Sequence, residues 1–200
     1  MNNYLVVIFL LLTKLDLIFG VSNTTIHNEQ DWDNATWVLT SSFIIITMQS
    51  GFGLLESGLV SEKNHIHIMI KNITDIIFGG LTFWIFGYAI IFGTNSNGFM
   101  SYEYFFTDKK DNFGWLFANF FFQFSFSTTA TTIVSGSLAE RTKFEAYILF
   151  SALNTIIYVF PAHWVWNTNG WLNNLGVIDF AGAGPVHLMG GLTGLVGTLI

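Results

Sequence analysis

The sequence predicts an all-α polytopic membrane protein, and three observations lead to that fold class. Of the 200 residues, 52% are hydrophobic and only 10% are charged, and the mean hydropathy is +0.53. A soluble domain has about 25% charged residues, so these side chains are too few to cover a water-exposed surface. The uncharged residues form long continuous stretches without the alternation of barrel strands, which favours transmembrane helices.

Five stretches of the sequence contain no Asp, Glu, Lys or Arg and are long enough to cross a bilayer as helices. A spanning helix needs about 20 predominantly apolar residues, and each stretch has at least that many. Allowing for polar ends, we expect five transmembrane helices, which lie at Trp37–Leu59, Ile66–Phe92, Phe113–Leu138, Ala146–Val165 and Gly184–Ile200. Five spans place the two ends of this domain on opposite sides of the membrane.

A short apolar run at the N-terminus predicts a signal peptide at residues 1–22 and not a sixth span. Residues Tyr4–Leu12 are apolar, Lys14 and Asp16 interrupt the run, and small residues follow up to Ser22. The two charges come too early for about 20 uninterrupted apolar residues. We therefore expect residues 23–36 to form an extracellular segment and residues 37–200 to form the transmembrane domain.

Basic residues are unequally divided between the two sides of the predicted helices. One side has Lys63, Lys71, Arg141 and Lys143, and the other has Lys109 and Lys110. Because cytoplasmic loops carry the excess of Lys and Arg, the first side is predicted to be cytoplasmic. The N-terminus is then extracellular, as in a multi-pass protein of the plasma membrane. Asn23 and Asn34 begin Asn-X-Thr sequons there and are candidate glycosylation sites.

The composition excludes several classes of function. The formal net charge is −6 and Lys and Arg form no stripe, which argues against nucleic acid as a partner. The chain has no cysteine, so disulfide scaffolds, zinc ribbons, iron–sulfur clusters and thiol catalysis are excluded. A membrane hydrolase is disfavoured because no Gly-X-Ser-X-Gly nucleophile elbow occurs. We therefore expect a protein that is not an enzyme and that has no cofactor and no metal site.

Charged residues within or near the predicted spans are candidates for special roles. A charge at the bilayer centre costs about 2.5 to 3.5 kcal/mol, so such a side chain should face protein or a cavity. Glu56 and Lys71 lie near helix ends, where they can extend to the interface or pair. Asp75 lies deeper, where a structural hydrogen bond is favoured and a role in a substrate pathway stays open.

The last predicted span combines a histidine with several glycines. His187 lies near its start, two residues after Pro185, and a histidine in a membrane span is a functional hypothesis. The alternative is a histidine that is satisfied by a neighbouring hydroxyl. The glycines that follow should allow close packing with another helix, and they are Gly190, Gly191, Gly194 and Gly197.

The third span and the end of the fourth are rich in aromatic residues. Phe122 and Phe126 share one face of the third helix, whereas Gln123 lies on another, and packing is the more common use of such a row. Trp166 belongs to a boundary cluster that an aromatic belt also explains, although a ring over a cavity mouth can bind a cation. The residues alone indicate a transporter or channel with an aromatic pathway that contains a histidine.

Four segments, in this order along the chain, closely resemble the ammonium transporter (Amt/Mep) family. They are Gln49–Gly58, Ser61–Asn64 with Lys71 and Asn72, Gln123–Arg141, and Asp179–His187. The form Asp-Phe-Ala-Gly-X-Gly-Pro-Val-His in the last segment looks like the Amt branch more than the related Rhesus branch. The resemblance extends over Trp37–Ile200.

The resemblance implies roles for individual residues. Trp166 matches the vestibule tryptophan that recruits ammonium by a cation–π contact, and Phe126 matches one of two phenylalanines that close the outer pore. Asp179 matches the acidic residue that shapes the recruitment site. His187 matches the first of two paired pore histidines, and Gln123 is similar to a neighbour of the pore entrance.

The resemblance also implies an architecture and a function. The five helices would form the first of two inverted repeats of the ammonium transporter fold, in a homotrimer with one pore per subunit. Ammonium would be recruited outside, deprotonated and passed as ammonia through a narrow apolar pore. The alternative is an ammonium sensor on the same fold without significant flux. Because Ile200 ends an apolar run with no basic anchor, we expect the chain to be a fragment.

Overall fold

A computed structural model describes residues 29–107 and 113–200, and these residues are mostly helical. The expected signal peptide at residues 1–22 lies outside the described residues, as do the sequon at Asn23 and the basic pair Lys109 and Lys110.

The first half of the fold consists of two long helical segments. Helix α1 covers Glu29–Leu59, and a short 3-10 turn at Glu62–Asn64 leads into the second segment. That segment contains α2 (His65–Thr74), α3 (Gly80–Thr82) and α4 (Tyr88–Phe92), which are joined without a break by π-helical turns at Asp75–Gly79 and Phe83–Gly87. A hairpin of β1 (Asn95–Ser96) and β2 (Ser101–Tyr102) follows.

The second half contains two long helices and a helix that begins with a π turn. Helix α5 covers Phe113–Leu138 and α6 covers Phe144–Trp166. The short α7 (Trp171–Asn174) follows, and a π turn at Ala183–Leu188 then continues into α8 (Met189–Leu199). The predicted helix bounds Phe113–Leu138 match α5 at both ends. Helix α1 begins eight residues before the predicted Trp37, because polar residues continue the helix beyond its apolar stretch.

Three of these helical segments are long and apolar enough to cross a membrane, as judged from the described residues. They are Asp33–Leu59, Glu62–Phe92 and Phe144–Asn174. Many large apolar side chains on them are exposed, such as Phe43 at 60%, Leu54 at 68% and Leu149 at 61%. Lipid tails are the natural solvent for such a surface.

Helix α5 is the centre of the fold and packs against α1, α6 and α8. Its contact with α8 depends on glycine, because a Cβ at Gly190 would lie 3.0 Å from the Ala130 carbonyl and one at Gly194 would lie 2.8 Å from Ser137 Oγ. The prediction that Gly191 shares this face is wrong, since no atom lies within 4 Å of a Cβ at that position. Each residue turns about 100° around a helix, which takes Gly191 off the contact face.

A second close approach occurs at the first π turn. A Cβ at Gly80 would lie 2.4 Å from the ring of Phe124 on α5, and one at Gly79 would lie 3.1 Å from Thr155 Oγ1 on α6. Side chains at these two positions would push the neighbouring helices away. The glycine pair therefore allows the second segment to lie tightly between α5 and α6.

Candidate functional site

A cavity of about 290 Å³ lies between α1, α5, the end of α6 and the π turn before α8. It brings together four of the five residues that the sequence singled out, namely Gln123, Phe126, Trp166 and His187. Its wall on α1 is formed by Trp37, Ser41, Ile44, Ile45 and Met48. The lining is predominantly apolar with a few polar atoms, which is the usual composition of a small-molecule site.

Three aromatic rings form one end of this cavity. The centroids of Phe126 and Trp166 are 5.7 Å apart, and those of Phe122 and Phe126 are 5.1 Å apart with nearly perpendicular planes. Both distances lie in the range that favours ring pairs, so these contacts hold the Phe126 ring between its neighbours. Trp166 is half-buried and keeps part of its ring accessible from the cavity.

Asp179 does not line the cavity but stabilises the turn that leads into α8. Its Oδ1 accepts a hydrogen bond from Gly182 N at 2.5 Å, and its Oδ2 accepts one from Gly184 N at 2.7 Å. Gly182 has φ = +77°, which favours glycine, and a Cβ there would also lie 2.7 Å from Val186. The carboxylate thus fixes the backbone from which the π turn and His187 project.

The hydrogen bond of His187 determines which ring nitrogen is free. Nδ1 lies 3.1 Å from the carbonyl oxygen of Gly182. A carbonyl can only accept, so Nδ1 carries the hydrogen in this contact and, in the neutral ring, Nε2 is left as an acceptor. His187 is exposed in the described structure and lines the cavity. The alternative of a histidine satisfied by a hydroxyl is not what the structure shows, because the partner is a backbone carbonyl.

Two buried polar atoms next to the cavity have no hydrogen-bond partner among the described residues. They are Gln123 Oε1 and Trp37 Nε1, an acceptor and a donor. Trp37 was not among the candidate residues predicted from the sequence. The available signal was the spacing of Trp37, Ser41, Ile45 and Met48, which places them on one face of α1.

A buried polar cluster lies on the other half of the bundle. Glu56 Oε1 accepts from Ser135 Oγ at 2.5 Å and its Oε2 accepts from Asn72 Nδ2 at 2.8 Å, while Thr132 Oγ1 donates to Asn72 Oδ1 at 2.5 Å. Glu56 is 6% exposed and is paired through these hydrogen bonds, which is the second of the two alternatives that the sequence left open. Its hydrogen bonds join α1, α2 and α5.

Lys71 is buried too, at 2% exposure, and it stabilises the end of α5. Its Nζ donates to the carbonyls of Leu138, Ala139 and Thr142 at 3.0 to 3.2 Å. The ammonium also lies 5.1 Å from the ring centre of Tyr147. A cation at the C-terminal end of a helix is favoured by the helix dipole. Lys71 is therefore paired with backbone carbonyls at the end of α5 and in the connection that follows it.

Glu140 joins the two connections that the sequence placed on the same side. Its Oε1 accepts from Ser61 Oγ at 2.6 Å and from Asn64 Nδ2 and Ser61 N at 2.9 Å each. The hydrogen bonds from the Ser61 and Asn64 side chains and from the Ser61 backbone lower the pKa of Glu140 to about 2. This surface contact holds the α1–α2 connection against the α5–α6 connection.

Comparison with known proteins identifies close relatives. The sequence profile of the Ammonium Transporter Family matches residues 36–200. Putative ammonium transporter 3 of Caenorhabditis elegans is 46% identical over 179 residues, covering 84% of this chain and 26% of the relative. Ammonium transporter 1 member 3 of Solanum lycopersicum is 39% identical over 176 residues, covering 84% and 38%.

Solved structures with the same fold carry related names. A protein called Sensor Amt Protein superposes with a TM-score of 0.77 at 36% identity, over 83% of this chain and 43% of its own. Mep2 of Candida albicans superposes with a TM-score of 0.75 at 28% identity, over 91% and 41%. The chain thus spans less than half the length of each relative.

Proposed function

Because the chain belongs to the ammonium transporter family, we propose that it is part of a transporter that carries ammonium across a membrane. Its family and its apolar helices make it a multi-pass membrane protein. The observation that carries the proposal is the cavity that places Trp166, Phe126 and His187 together. The family and the cavity support each other, since each points to a small cation as substrate.

The electron-rich ring face of Trp166 attracts the ammonium ion. A cation over an indole ring gains about 0.5 to 2 kcal/mol, depending on how far water is excluded. Phe126 packs against this ring and narrows the substrate pathway beyond Trp166. Asp179 contributes through its two hydrogen bonds to the Gly182–Gly184 backbone, so it is a positioning residue for this end of the site.

Beyond the aromatic end, the substrate moves as ammonia. Transfer of an isolated cation from water into an apolar medium costs tens of kcal/mol of free energy, far more than a contact with one aromatic ring can offset. Loss of the proton before entry therefore requires less free energy. Nε2 of His187 accepts a hydrogen bond from an N–H of the substrate, and Nδ1 stays bonded to Gly182. This bond keeps the imidazole in one orientation as the substrate passes.

The wider architecture is also a proposal. Five spans, an extracellular N-terminus after a signal peptide at residues 1–22 and a homotrimer in the plasma membrane follow from the sequence pattern and the family. The chain corresponds to the first of two inverted repeats, and the other repeat would supply the second pore histidine and the second gate phenylalanine. The exposure of Phe180 at 53%, on the cavity wall, supports a surface that faces further protein.

Uptake of radiolabelled methylammonium tests this function. A full-length transporter that contains this chain, reconstituted in liposomes, should show saturable uptake that ammonium competes. His187→Ala removes the Nε2 acceptor and should lower uptake by about two- to twelve-fold, the equivalent of one hydrogen bond, whereas Leu188→Ala, an exposed neighbour outside the cavity lining, should not. Equal uptake by these two variants at equal protein levels would contradict the role of His187.

One observation favours a second candidate. A matching structure is named a sensor, so an ammonium sensor without significant flux is the alternative. Binding of ammonium to the reconstituted protein without uptake of methylammonium would support the sensor function and contradict transport.

A further inference from the structure

A row of buried polar side chains follows one face of α6. Tyr147, Ser151, Asn154 and Tyr158 are spaced by four, three and four residues, and each is 0% exposed. The row faces Asp75 of the π turn after α2 and Thr131 of α5, with Tyr147 OH donating to Asp75 Oδ2 at 2.8 Å and Asn154 Nδ2 donating to Thr131 Oγ1 at 3.1 Å. We call Asp75, Ser127, Thr131, Ser151, Asn154 and Tyr158 the polar file.

Most members of the polar file have a polar atom without a partner. Within the part of the chain that the structure describes, the atoms without a hydrogen bond of standard geometry are Asp75 Oδ1, Ser127 Oγ, Ser151 Oγ, Asn154 Oδ1 and Tyr158 OH. Of these, Ser151 and Asp75 lie close enough to interact with each other. Each such atom costs about 1 to 3 kcal/mol if it stays unpaired. Among the described residues, the atoms of Ser127, Asn154 and Tyr158 remain without any partner in one file, whereas native proteins leave only a few such atoms per 100 residues.

Neither lipid nor another protein chain can satisfy these atoms. All six residues of the polar file are 0 or 1% exposed already in this chain, before any further repeat or subunit is added. The ligand must therefore be small enough to lie between packed helices and must both donate and accept hydrogen bonds. Water fits this description.

The spacing of the polar file suits single water molecules. Steps of three or four residues along a helix correspond to about 4.5 to 6 Å. One water with two hydrogen bonds of about 2.8 Å bridges groups about 5.6 Å apart. From Tyr147 to Tyr158 the row extends roughly 16 Å, which is about half of the hydrocarbon thickness of a bilayer.

Asp75 has the surroundings of a proton-binding group. The charged and titratable groups around it are Tyr147, Glu56 and Lys71, and Ser151 lies beside the carboxylate. The Lys71 ammonium donates to three backbone carbonyls, and the described residues hold no hydrogen bond from it to Asp75. A buried carboxylate without a cation on it is costly as an ion and much less costly when protonated.

We propose that the polar file holds a chain of ordered water and that Asp75, at one end of it, binds a proton. The file is separate from the candidate substrate pathway, because none of its six residues lines the cavity with Trp166 and His187. Protonation adds one hydrogen to Oδ1 of Asp75, which then donates to Ser151 or to water. The proton enters from the aqueous phase as an excess proton that the water of the file relays, which leaves neutral water behind, and it leaves by the same route.

Radiolytic hydroxyl-radical labelling tests the water. In the full-length protein in nanodiscs, ordered water next to Tyr158 should produce labelling about tenfold faster than at Tyr88. Tyr88 is the matched control, because it is 3% exposed and its hydroxyl is bonded to Asn119 Nδ2. Asn154→Leu should slow labelling of Tyr158 and leave Tyr88 unchanged. Labelling of Tyr158 as slow as that of Tyr88 in the parent protein would overturn the water file.

Infrared difference spectroscopy tests the proton. Between about pH 4 and pH 10, a range that covers exposed and buried carboxyl groups, the parent protein should show a carboxylic acid C=O band that changes with pH and is missing in Asp75→Asn. The absence of such a band in the parent would overturn proton binding at Asp75. Neither measurement depends on ammonium, so their failure is distinguishable from failure of the proposed transport.

Discussion

Two tryptophans near the aromatic end of the cavity have different surroundings. Trp166 offers a ring face to the cavity, whereas Trp171 stacks on Phe99 at 6.1 Å and lies outside the cavity lining. Both belong to the boundary cluster that the sequence shows. Only Trp166 lines the cavity, so the two residues allow the proposed cation capture to be tested against an aromatic belt.

Trp166→Leu should therefore weaken capture of methylammonium while keeping apolar bulk. A loss of about 0.5 to 2 kcal/mol corresponds to a rise of about two- to thirty-fold in the half-saturating concentration. Uptake should fall mainly at low substrate. Trp171→Leu is the control and should leave this concentration unchanged. Identical curves for both variants, at matched membrane levels, would assign Trp166 to the belt alone.

Asp179 acts through the backbone, and this leads to a prediction about stability. Asp179→Asn keeps the size but exchanges one acceptor oxygen for an NH₂ group that faces the N–H of Gly182 or Gly184. Loss of one charge-assisted hydrogen bond should lower the free energy of unfolding by about 1 to 3 kcal/mol. Thermal unfolding in detergent measures this, with Asp33→Asn on exposed α1 as the control. Equal melting temperatures for the two variants would contradict the role of Asp179 in stabilising this turn.

At the scale of helices, contact distances depend on where glycines lie around each axis. Gly190 and Gly194 face α5, and Gly191 does not. The two π turns in the second segment and the one before α8 are further local features of this kind. The first occurs where Gly79 and Gly80 allow close approach, and the one before α8 follows a left-handed Gly182 whose backbone Asp179 holds.

Two alanine substitutions should separate these helix faces. Gly190→Ala places a Cβ 3.0 Å from the Ala130 carbonyl and from Ile133, which should destabilise the protein by about 1 to 3 kcal/mol. Gly191→Ala meets nothing within 4 Å and should be neutral or should stabilise the helix by up to about 1 kcal/mol. Melting temperatures of the two variants provide the measurement. The reverse order of stability would show that α8 is rotated relative to α5.

The contact between the α1–α2 connection and the α5–α6 connection should weaken at low pH. The lowered pKa of Glu140 means that the junction gains stability from its charge above about pH 4.5 and loses it as the pH falls toward about 2. Hydrogen exchange of the Ser61 amide, which donates to Glu140, should become less protected over that interval. In Glu140→Gln this acid dependence should be lost, and in Glu145→Gln it should persist. Protection of Ser61 that does not vary from pH 5 to pH 2 in the parent would count against the junction.

For the whole molecule, the two connections that Glu140 joins must lie on one side of the membrane. The basic residues Lys63, Arg141 and Lys143 are in or next to these connections. The excess of basic residues predicts that these connections lie on the cytoplasmic side. The structure shows that the two connections are in contact.

Glycosylation mapping tests this orientation. An acceptor sequon inserted within Glu140–Lys143 should stay unglycosylated, and one inserted before Trp37 should be modified. The reason is that only segments on the lumenal side meet the transferase. Gel mobility before and after glycosidase treatment reads the result. Modification at Glu140–Lys143 would reverse the topology.

The sequence by itself determined the membrane class, the helices and the candidate residues. The third helix was predicted to its end residues because charged or polar residues flank an uncharged stretch, and four segments, the last of them Asp179–His187, carried the resemblance to the family. The sequence did not identify Trp37 as a residue that lines the cavity. It also did not predict that Glu56 and Lys71 are buried, or that Gly191 lies off the face of α8 that contacts α5. Periodicity fixes the angle of a side chain around its own helix. The rotation and distance between helices, which decide what each side chain meets, arise only when the helices pack.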